Sequence, residues 1–419
     1  MPCALIQLIS EQTMQNLLPV LRLAPDRLVH LATPRTAVRS RLVAEGARQA
    51  GLDPELETVT LTPMPGIPEC FGAVAAAIQR AGEMGLTPVV NFTGGTKLMS
   101  IGAYAAARVH KTTSLYVDTQ DNAFVDGHTG TALAALLDND TSFTPLARRL
   151  TVNAVAVAQG VERVTGGSDW RSLLGLARHL LEQEDEERAT HEALYGKDGF
   201  LPMGRAPRDP GGWLALLDQP FSLPGRTGEL AAGLGLVRAA PGDGCFLLPD
   251  STRGELEAID HALASGMYVG NYNARRTAAS EPMQRALGLL TGGWWEVVVA
   301  DAMDRSGFFR DLRWSVMVGE RQGPELEEDI LALAGVQMVY VSCKRSSKGE
   351  RLQPHLEELS ARARTVGGAF TRKYLAVRYP AMGAEWRKLE AKAAQLAIRL
   401  VTPENLDAPE TFAPPQTGR

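Results

Sequence analysis

The chain has 419 residues, of which 45% are hydrophobic and 22% are charged. Because a single hydrophobic core stops growing at about 250–300 residues, this length predicts two or three domains, and the ordinary composition excludes a disordered or fibrous protein. The net charge of −5 at pH 7 excludes a basic field over the whole molecule, so nucleic-acid binding would need a local basic face.

Up to about residue 120, short apolar runs alternate with longer helix-like stretches. The runs are rich in β-branched residues and flanked by turn residues, which predicts buried strands. The first of the five predicted strands starts at Cys3, and the other four end at Thr33, Thr62, Thr93 and Asp118. This alternation predicts a parallel sheet covered by helices, which is a Rossmann-like domain.

Parallel sheets bind ligands at the carboxyl ends of their strands, and three predicted strand ends carry small polar residues. The most distinctive is Asn91–Lys97, N-F-T-G-G-T-K. Gly94 and Gly95 allow a tight turn close to a ligand, and the next helix offers N–H groups that suit phosphate. The segment fits neither Walker A nor G-x-G-x-x-G, which disfavours an ordinary NTPase or NAD site. A plain glycine-rich turn with a threonine N-cap is the alternative.

This pattern resembles the CRISPR-associated Rossmann-fold (CARF) sensor domain over roughly the first 130 residues. In that family, this loop and the ends of the first two strands hold cyclic oligoadenylate at the two-fold axis of a dimer. The resemblance therefore implies a homodimer and a set of ligand-binding residues. These are Ser10, Gln12, Thr33, Thr93, Gly94, Gly95, Thr96 and Lys97.

The sequence of the middle of the chain predicts a linker between the two main domains. An amphipathic stretch begins at Trp170 and carries an acidic run that we interpret as a solvated helix face. A short helix and a hairpin with a Pro-Gly-Asp-Gly turn then indicate a small winged-helix-like insert. Its helix has no basic stripe, which favours a packing role over DNA reading. The polar and basic residues before the last domain are Asn271, Tyr272, Arg275 and Arg276.

Two apolar runs on either side of Gly335-Val336 predict an antiparallel hairpin in the last domain. A turn centred on these residues pairs Asp329 with Ser342 and places Glu327 and Lys344 on the same face. Such carboxylates hold a divalent cation that polarises phosphate and lowers the pKa of water, while a lysine screens developing charge. A hairpin with a simple salt bridge is the alternative.

The hairpin resembles the core of PD-(D/E)xK nucleases, with Asp329 as the first acid and Lys344 as the lysine. Ser342 occupies the second acidic position, where that family usually has Glu or Asp. Because serine is a poor ligand for magnesium, this departure predicts a weakened metal site unless another acid replaces it. These three residues form the expected catalytic set.

Three acidic residues are candidates for the missing acid: Glu327, Glu328 and Glu296. Strand parity favours Glu327, whereas Glu296 lies in an apolar helical stretch, where a carboxylate is costly unless it is paired or metal-bound. A surface position for Glu296 is the alternative. We expect Asp329, Glu327 and Glu296 to hold Mn²⁺ or Mg²⁺.

Two further features lie downstream of the hairpin. Five residues are predicted to form a local basic patch that guides a nucleic-acid backbone, with ordinary solvated charge as the alternative. They are Arg345, Lys348, His355, Arg362 and Arg364. The segment from Pro403 is rich in proline and is predicted to be disordered.

Cellular location is inferred from what the sequence lacks. It shows no signal-peptide pattern and no apolar run of roughly 18 residues, the length of a membrane helix. The four cysteines form no C-x-x-C pair, which is typical of a reducing compartment and offers no zinc or disulfide framework. We therefore expect a cytoplasmic protein with no membrane partner.

The predicted fold is α/β in four parts: a Rossmann-like CARF domain (1–150), a helical, winged-helix-like linker (151–275), a restriction-endonuclease-like PD-(D/E)xK domain (276–402) and a disordered tail (403–419). This order resembles the cyclic-oligoadenylate-activated CARF nucleases of type III CRISPR antiviral defence. The resemblance implies that cyclic tetra-adenylate binds between two sensor domains and allosterically activates a metal-dependent endonuclease on DNA or RNA. One alternative is a ligand-binding regulator or scaffold with an inactive nuclease core. Another is a sensor that degrades its own ligand through a ribose 2′-hydroxyl.

Overall fold

The computed structural model describes residues 2–128, 132–167, 169–201, 209, 211–265, 282–319, 325–346 and 352–413. The chain divides into two compact units. Unit 1 consists of Met1–Val164, Ala332–Tyr340 and Ser360–Arg372, and unit 2 consists of Thr165–Leu331, Val341–Leu359 and Lys373–Arg419.

A six-stranded sheet with the order β3-β2-β1-β4-β5-β6 lies at the centre of unit 1. Its strands are β1 (Cys3–Leu8), β2 (Arg27–Ala32), β3 (Glu55–Thr60), β4 (Thr87–Asn91), β5 (Thr113–Asp118) and β6 (Ala123–Asp126). The first five are parallel to their neighbours, and β6 is antiparallel to β5. The predicted Rossmann-like domain is therefore confirmed.

Helices connect these strands and follow them in unit 1. They are α1 (Met14–Leu23), α2 (Ala37–Gln49), α3 (Ile67–Glu83), α4 (Lys97–Val109), α5 (Ala132–Leu136) and α6 (Val152–Gln159). Every residue of β1 is buried, as expected for a central strand of a parallel sheet that is covered on both faces. Since parallel connections bring all the strands back in the same direction, the carboxyl ends of β1, β2 and β4 lie side by side at one edge.

The linker region contains short helices and a small sheet. Its helices are α7 (Leu174–Glu182), α8 (Glu184–Tyr195), α9 (Gly225–Gly233) and α10 (Arg253–Ala264). The predicted hairpin is present as the antiparallel strands β9 (Arg238–Ala239) and β10 (Cys245–Leu247), and β8 (Phe221–Ser222) pairs with the other edge of β10. The predicted basic boundary at 271–276 lies outside the described residues.

The last part of the chain contributes most of a second six-stranded sheet, with the order β15-β14-β13-β12-β11-β7. Its strands are β7 (Arg163–Gly166), β11 (Arg310–Gly319), β12 (Glu325–Ala334), β13 (Gln337–Ser346), β14 (Arg372–Tyr379) and β15 (Ile398–Val401). The helices here are α11 (Pro282–Gly288), α12 (Trp294–Ser306), α13 (Leu352–Gly367), α14 (Ala384–Gln395) and α15 (Pro409–Phe412). A π-helical turn at Leu289–Gly293 joins α11 to α12.

Two sequence-based expectations are wrong. The acidic run is not wholly solvated, because Glu187 is fully buried and bonded to Arg345. The segment after Pro403 is ordered up to residue 413, because Phe412 is buried and packs against Phe309 and Tyr374. Residues 414–419 lie outside the described part of the chain. Among the described helices, none is long and apolar enough to cross a membrane.

Candidate functional site

The loop after β4 brings the first turn of α4 to the carboxyl edge of the first sheet. Gly94 passes so close to the end of β1 that a Cβ atom there would overlap the carbonyl oxygen of Leu8. Gly95 has a φ of +77°, which favours glycine. Thr96 is the N-cap of α4, and its hydroxyl accepts a hydrogen bond of 3.4 Å from the N–H of Met99. The two glycines therefore place the N-terminus of α4 beside the end of β1.

Several hydroxyl groups of the predicted ligand set are bonded within the protein. Thr93 Oγ1 donates to Asn91 Oδ1 at 2.7 Å and accepts from the N–H of Val117 at 2.7 Å. Ser10 Oγ donates to the carbonyl of Gln12 at 3.2 Å. Thr33 Oγ1 lies 3.2 Å from Thr36 Oγ1. These hydrogen bonds hold the strand ends in place, whereas Lys97, in the first turn of α4, is exposed.

A buried chain of polar side chains crosses the sheet beneath this edge. Asn91 Nδ2 donates to Gln7 Oε1 at 3.1 Å, and Gln7 Nε2 lies 2.9 Å from His30 Nε2. His30 Nδ1 lies 2.9 Å from Ser40 Oγ. Burial lowers the pKa of His30 to about 3, so its imidazole is neutral at pH 7. This row of hydrogen-bonded side chains holds the side chain of Asn91 in place, and Asn91 Oδ1 in turn accepts a hydrogen bond from Thr93 Oγ1.

Sequence reasoning missed this polar chain, although a signal was available. Gln7, His30 and Asn91 are polar residues in otherwise apolar strands. They are also direct partners in the register of the sheet, because Gln7 lies opposite His30 on one side and Asn91 on the other. The three residues could be matched only after the strand order and register were known.

One ion pair lies at the same edge of the sheet. Arg35 Nη2 is 2.5 Å from Glu11 Oε1, and both side chains are largely exposed. Glu11 follows β1 and Arg35 follows β2, so the pair connects two of the strand ends that form the predicted ligand site. Arg35 is a further cationic group that the sequence analysis did not select.

In unit 2, β12 and β13 carry the predicted catalytic set. Asp329 Oδ2 accepts hydrogen bonds from Ser342 Oγ at 3.2 Å and from the N–H of Cys343 at 2.6 Å. A two-residue turn at Gly335-Val336 predicts this pairing, because Asp329 and Ser342 lie the same number of residues before and after the turn. Asp329 is therefore fixed by the opposite strand.

Glu296 on α12 faces the same group of charges. Its pKa is raised well above the usual range, first by burial and then by repulsion from Asp329 and Glu327. A hydrogen bond from Trp314 and the positive charge of Lys344 act in the opposite direction. Glu296 thus interacts electrostatically with three other predicted site residues, and its side chain is half-buried rather than exposed. We call these four, Glu296, Glu327, Asp329 and Lys344, the charged cluster.

Each of the cluster's carboxylates has its own hydrogen-bond donor. Trp314 Nε1 donates to Glu296 Oε2 at 2.9 Å, and Ser315 Oγ donates to Glu327 Oε1 at 2.6 Å. Within the described residues, no three His, Cys, Asp or Glu side chains converge to form a metal site. Glu328 is buried, and strand alternation places it on the face opposite to Glu327, away from the cluster.

The predicted basic patch is partly neutralised. Arg345 Nε lies 2.6 Å from Glu187 Oε1, and the hydroxyl of Tyr379 donates to Glu187 Oε2 at 2.6 Å. His355 Nδ1 lies 3.5 Å from Glu358 Oε2. Arg345 therefore serves to pair a buried carboxylate, and it is not a free phosphate-binding cation. Lys348 lies outside the described residues.

The first sheet and the glycine loop define a Rossmann-type domain, and the family comparison agrees. Residues 4–132 match the family model described as the Card1 CARF domain, so this part of the chain is a CARF domain. The predicted resemblance is confirmed to that extent. No curated protein sequence matches the chain.

Solved structures with a similar fold include three relevant proteins. Can2 from Sulfobacillus thermosulfidooxidans, in complex with cyclic tetra-adenylate, has a TM-score of 0.64 and 16% identity over 98% of this chain and 96% of that chain. The protein VC1899 from Vibrio cholerae has a TM-score of 0.64 and 12% identity over 98% and 96%. A type III CRISPR defence DNA nuclease activated by cyclic oligoadenylate has a TM-score of 0.53 and 16% identity over 100% of this chain and 53% of its own. The chain thus spans about half the length of the last protein.

Proposed function

We propose that this protein is a metal-dependent nuclease of type III CRISPR defence that cyclic tetra-adenylate activates. The observation that carries the proposal is the hairpin, in which Ser342 and Cys343, on the strand that also carries Lys344, donate hydrogen bonds to Asp329. The CARF domain and the similarity to Can2, whose structure contains cyclic tetra-adenylate, support the choice of activator. The cluster lies in the range assigned to a PD-(D/E)xK domain, residues 276–402.

The ligand site is proposed to bind phosphate largely through backbone N–H groups. The close approach of Gly94 to Leu8 and the left-handed turn at Gly95 bring the N-terminus of α4 to the strand ends, where the helix dipole favours an anion. Lys97 adds a positive charge in the first turn of the helix. Thr93 and Ser10 shape the loop through their internal hydrogen bonds, and Thr96 caps α4.

A homodimer is proposed because the ligand is itself rotationally symmetric and apolar side chains are exposed next to the loop. Leu98 and Ile101 on α4 are each 51% exposed, and Ile67 on α3 is also exposed. A second copy that covers these residues would place two ligand loops around one cyclic molecule. The ligand would activate the enzyme only by the difference in its affinity for the active and inactive arrangements.

The charged cluster is proposed to hold Mn²⁺ or Mg²⁺ through Asp329 together with Glu327 or Glu296, because no three such side chains converge among the described residues and these ions can be bound by one or two carboxylates. Oxygen donors of this kind suit both ions, and a cation would relieve the repulsion between the carboxylates. When bound, the ion polarises the phosphate and lowers the pKa of a water molecule. The hydrogen bonds from Ser342 and Cys343 orient the carboxylate of Asp329, and Lys344 supplies a positive charge for the phosphate.

The decisive experiment is cleavage of plasmid DNA and of single-stranded RNA by the full chain, with and without cyclic tetra-adenylate, in Mn²⁺. Asp329→Asn and Lys344→Gln are expected to lower cleavage at least 100-fold. Asp304→Asn is the matched control, because Asp304 lies on α12 and pairs with the exposed Arg171 outside the cluster. Equal cleavage by all four proteins would exclude the proposed catalytic site.

A ligand-binding regulator without nuclease activity is the second candidate, and Ser342 in an acidic position of the nuclease pattern favours it. This candidate predicts that the protein binds cyclic tetra-adenylate and yet leaves DNA and RNA intact at every Mn²⁺ and Mg²⁺ concentration tested. Ligand-dependent cleavage that disappears in Asp329→Asn would exclude it.

A further inference from the structure

The buried polar chain that includes Asn91, Gln7 and His30 donates its hydrogen bonds in a single direction. At one end, Asn91 Oδ1 lies 3.0 Å from the backbone nitrogen of Thr93 and 2.7 Å from its hydroxyl. A backbone N–H can only donate, so the atom that faces it must be the amide oxygen. Asn91 Nδ2 lies 3.0 Å from the carbonyl oxygen of Gln15, which can only accept. Two backbone groups therefore fix the orientation of the Asn91 amide.

That orientation determines the orientation of Gln7 and the tautomer of His30. Asn91 Nδ2 donates to Gln7 Oε1, so Gln7 Nε2 is the donor toward His30 Nε2. Burial lowers the pKa of His30 to about 3, and in the neutral ring a nitrogen that accepts a hydrogen bond carries no hydrogen. The hydrogen of the imidazole therefore lies on Nδ1, which donates to Ser40 Oγ at 2.9 Å.

The members of this chain come from different elements of the sheet and its helices. Gln7 lies on β1, His30 on β2 and Asn91 on β4, and each of them is at most 1% exposed. The chain continues through Ser40 on α2, whose Oγ lies 2.8 Å from the hydroxyl of Thr58 on β3. A buried donor or acceptor without a partner is costly, so each side chain keeps its neighbour in one orientation.

We propose that Gln7 and His30 are positioning residues of the ligand site, which hold Asn91 and, through it, the loop that begins at Thr93. This inference rests on the proposed binding of cyclic tetra-adenylate to that loop. Neither Gln7 nor His30 is assigned a contact with the ligand, because both side chains are buried within the sheet. A loop that adopts its binding conformation for only a fraction of the time binds its ligand more weakly by that fraction.

The first test is nuclear magnetic resonance of the full chain, labelled with nitrogen-15 histidine, at pH 7 and without ligand. His30 is expected to carry its hydrogen on Nδ1 and none on Nε2, and its signals are identified by their loss in His30→Gln. A hydrogen on Nε2 would overturn the inference, because Gln7 would then turn its oxygen toward His30 and its N–H groups toward the N–H groups of Asn91. This measurement uses the wild-type chain, so it tests the inference even if a core variant does not fold.

The second test is calorimetric titration of the full chain with cyclic tetra-adenylate. Gln7→Met keeps an unbranched side chain and removes both hydrogen bonds, and it is expected to weaken binding about 10-fold, because an N–H of Asn91 loses its acceptor. Gln7→Glu is expected to keep the affinity within about threefold, because the new carboxyl group accepts from Asn91 through one oxygen and shares a proton with His30 through the other. Ser114→Ala is the matched control, since Ser114 on β5 is equally buried and lies 3.0 Å from His128 Nδ1.

The comparison of the two Gln7 variants separates positioning from general damage to the core. Equal affinities in Gln7→Met and Ser114→Ala would overturn the inference, and so would a loss in Gln7→Glu as large as that in Gln7→Met. With either result, binding by the wild-type chain would still support the proposed ligand. If the wild-type chain binds no cyclic tetra-adenylate, the proposed ligand is wrong and the inference fails with it.

Discussion

Ser342 Oγ donates a hydrogen bond of 3.2 Å to Asp329 Oδ2 across the hairpin of β12 and β13. Ser342 is the residue at which the proposed nuclease pattern would have an acid, and in this structure it acts as a donor to Asp329. The same oxygen of Asp329 also accepts from the N–H of Cys343. The serine thus supports the carboxylate that is proposed to bind the metal.

The hydroxyl of Ser342 can be tested by a pair of substitutions. Ser342→Ala removes the donor and is expected to lower cleavage about 10-fold, because one hydrogen bond to a charged group contributes about 1.5 kcal/mol. Ser342→Thr keeps the hydroxyl in a residue that favours strands and is expected to retain most of the activity. The measurement is the cleavage rate at saturating cyclic tetra-adenylate and Mn²⁺. Identical rates in the two variants would show that the hydroxyl has no role.

Gly94→Ala is expected to weaken cyclic tetra-adenylate binding at least 10-fold. The added Cβ would overlap the carbonyl of Leu8, so the loop must move away from the end of β1. Gly72→Ala is the control, because a Cβ there meets no atom within 4 Å. Binding is measured by calorimetry on the full chain. If Gly94→Ala and Gly72→Ala bind equally, the loop does not contact the ligand.

Glu11 and Arg35 form an ion pair at the carboxyl edge of the first sheet. We therefore expect substitutions of these two residues to have opposite effects on ligand binding. Glu11→Gln is expected to strengthen binding of cyclic tetra-adenylate about 3–10-fold, because it removes a negative charge and frees Arg35 for phosphate. Arg35→Gln is expected to weaken binding by a similar factor, and both effects shrink at high salt. Glu45→Gln, which removes one of the two carboxylates paired with the exposed Arg48 on α2, is the control. Changes of the same sign in Glu11→Gln and Arg35→Gln would contradict this interpretation.

The buried polar chain predicts a pH dependence of stability. The pKa of His30 is lowered to about 3 in the folded protein from about 6.5 when unfolded, so the unfolded chain binds the extra proton between these values. Its contribution to stability is therefore complete above about pH 6.5 and is lost as the pH falls toward 3. His30→Gln is expected to show a smaller fall in melting temperature between pH 7 and pH 4.5. An unchanged slope would mean that the pKa of His30 does not differ between the folded and the unfolded protein.

Local features of the sequence were enough to predict several elements. Alternating apolar runs predicted the first sheet because burial on both faces demands continuous apolar strands. The loop from Asn91 to Lys97 was recognised because two adjacent glycines and a capping threonine have specific backbone requirements. The pairing of Asp329 with Ser342 followed from a two-residue turn, since a hairpin's register depends only on the turn between its strands.

Other features depended on residues that are far apart in the chain. Glu187 was expected in solvent because its neighbours are acidic, but its burial is set by Arg345 and Tyr379 on other elements. The order of the segment before residue 413 likewise follows from the packing of Phe412 against Tyr374.

The amino-acid sequence by itself determined the strands, the glycine loop and the hairpin that carries Asp329 and Lys344, because each depends on interactions between residues close in the chain. Only the tertiary structure decided that Glu296 from α12 joins this hairpin and that Trp314 and Ser315 hold the carboxylates. The physical reason is that charge repulsion and hydrogen bonding act over a few ångströms, and folding determines which distant residues come within that range.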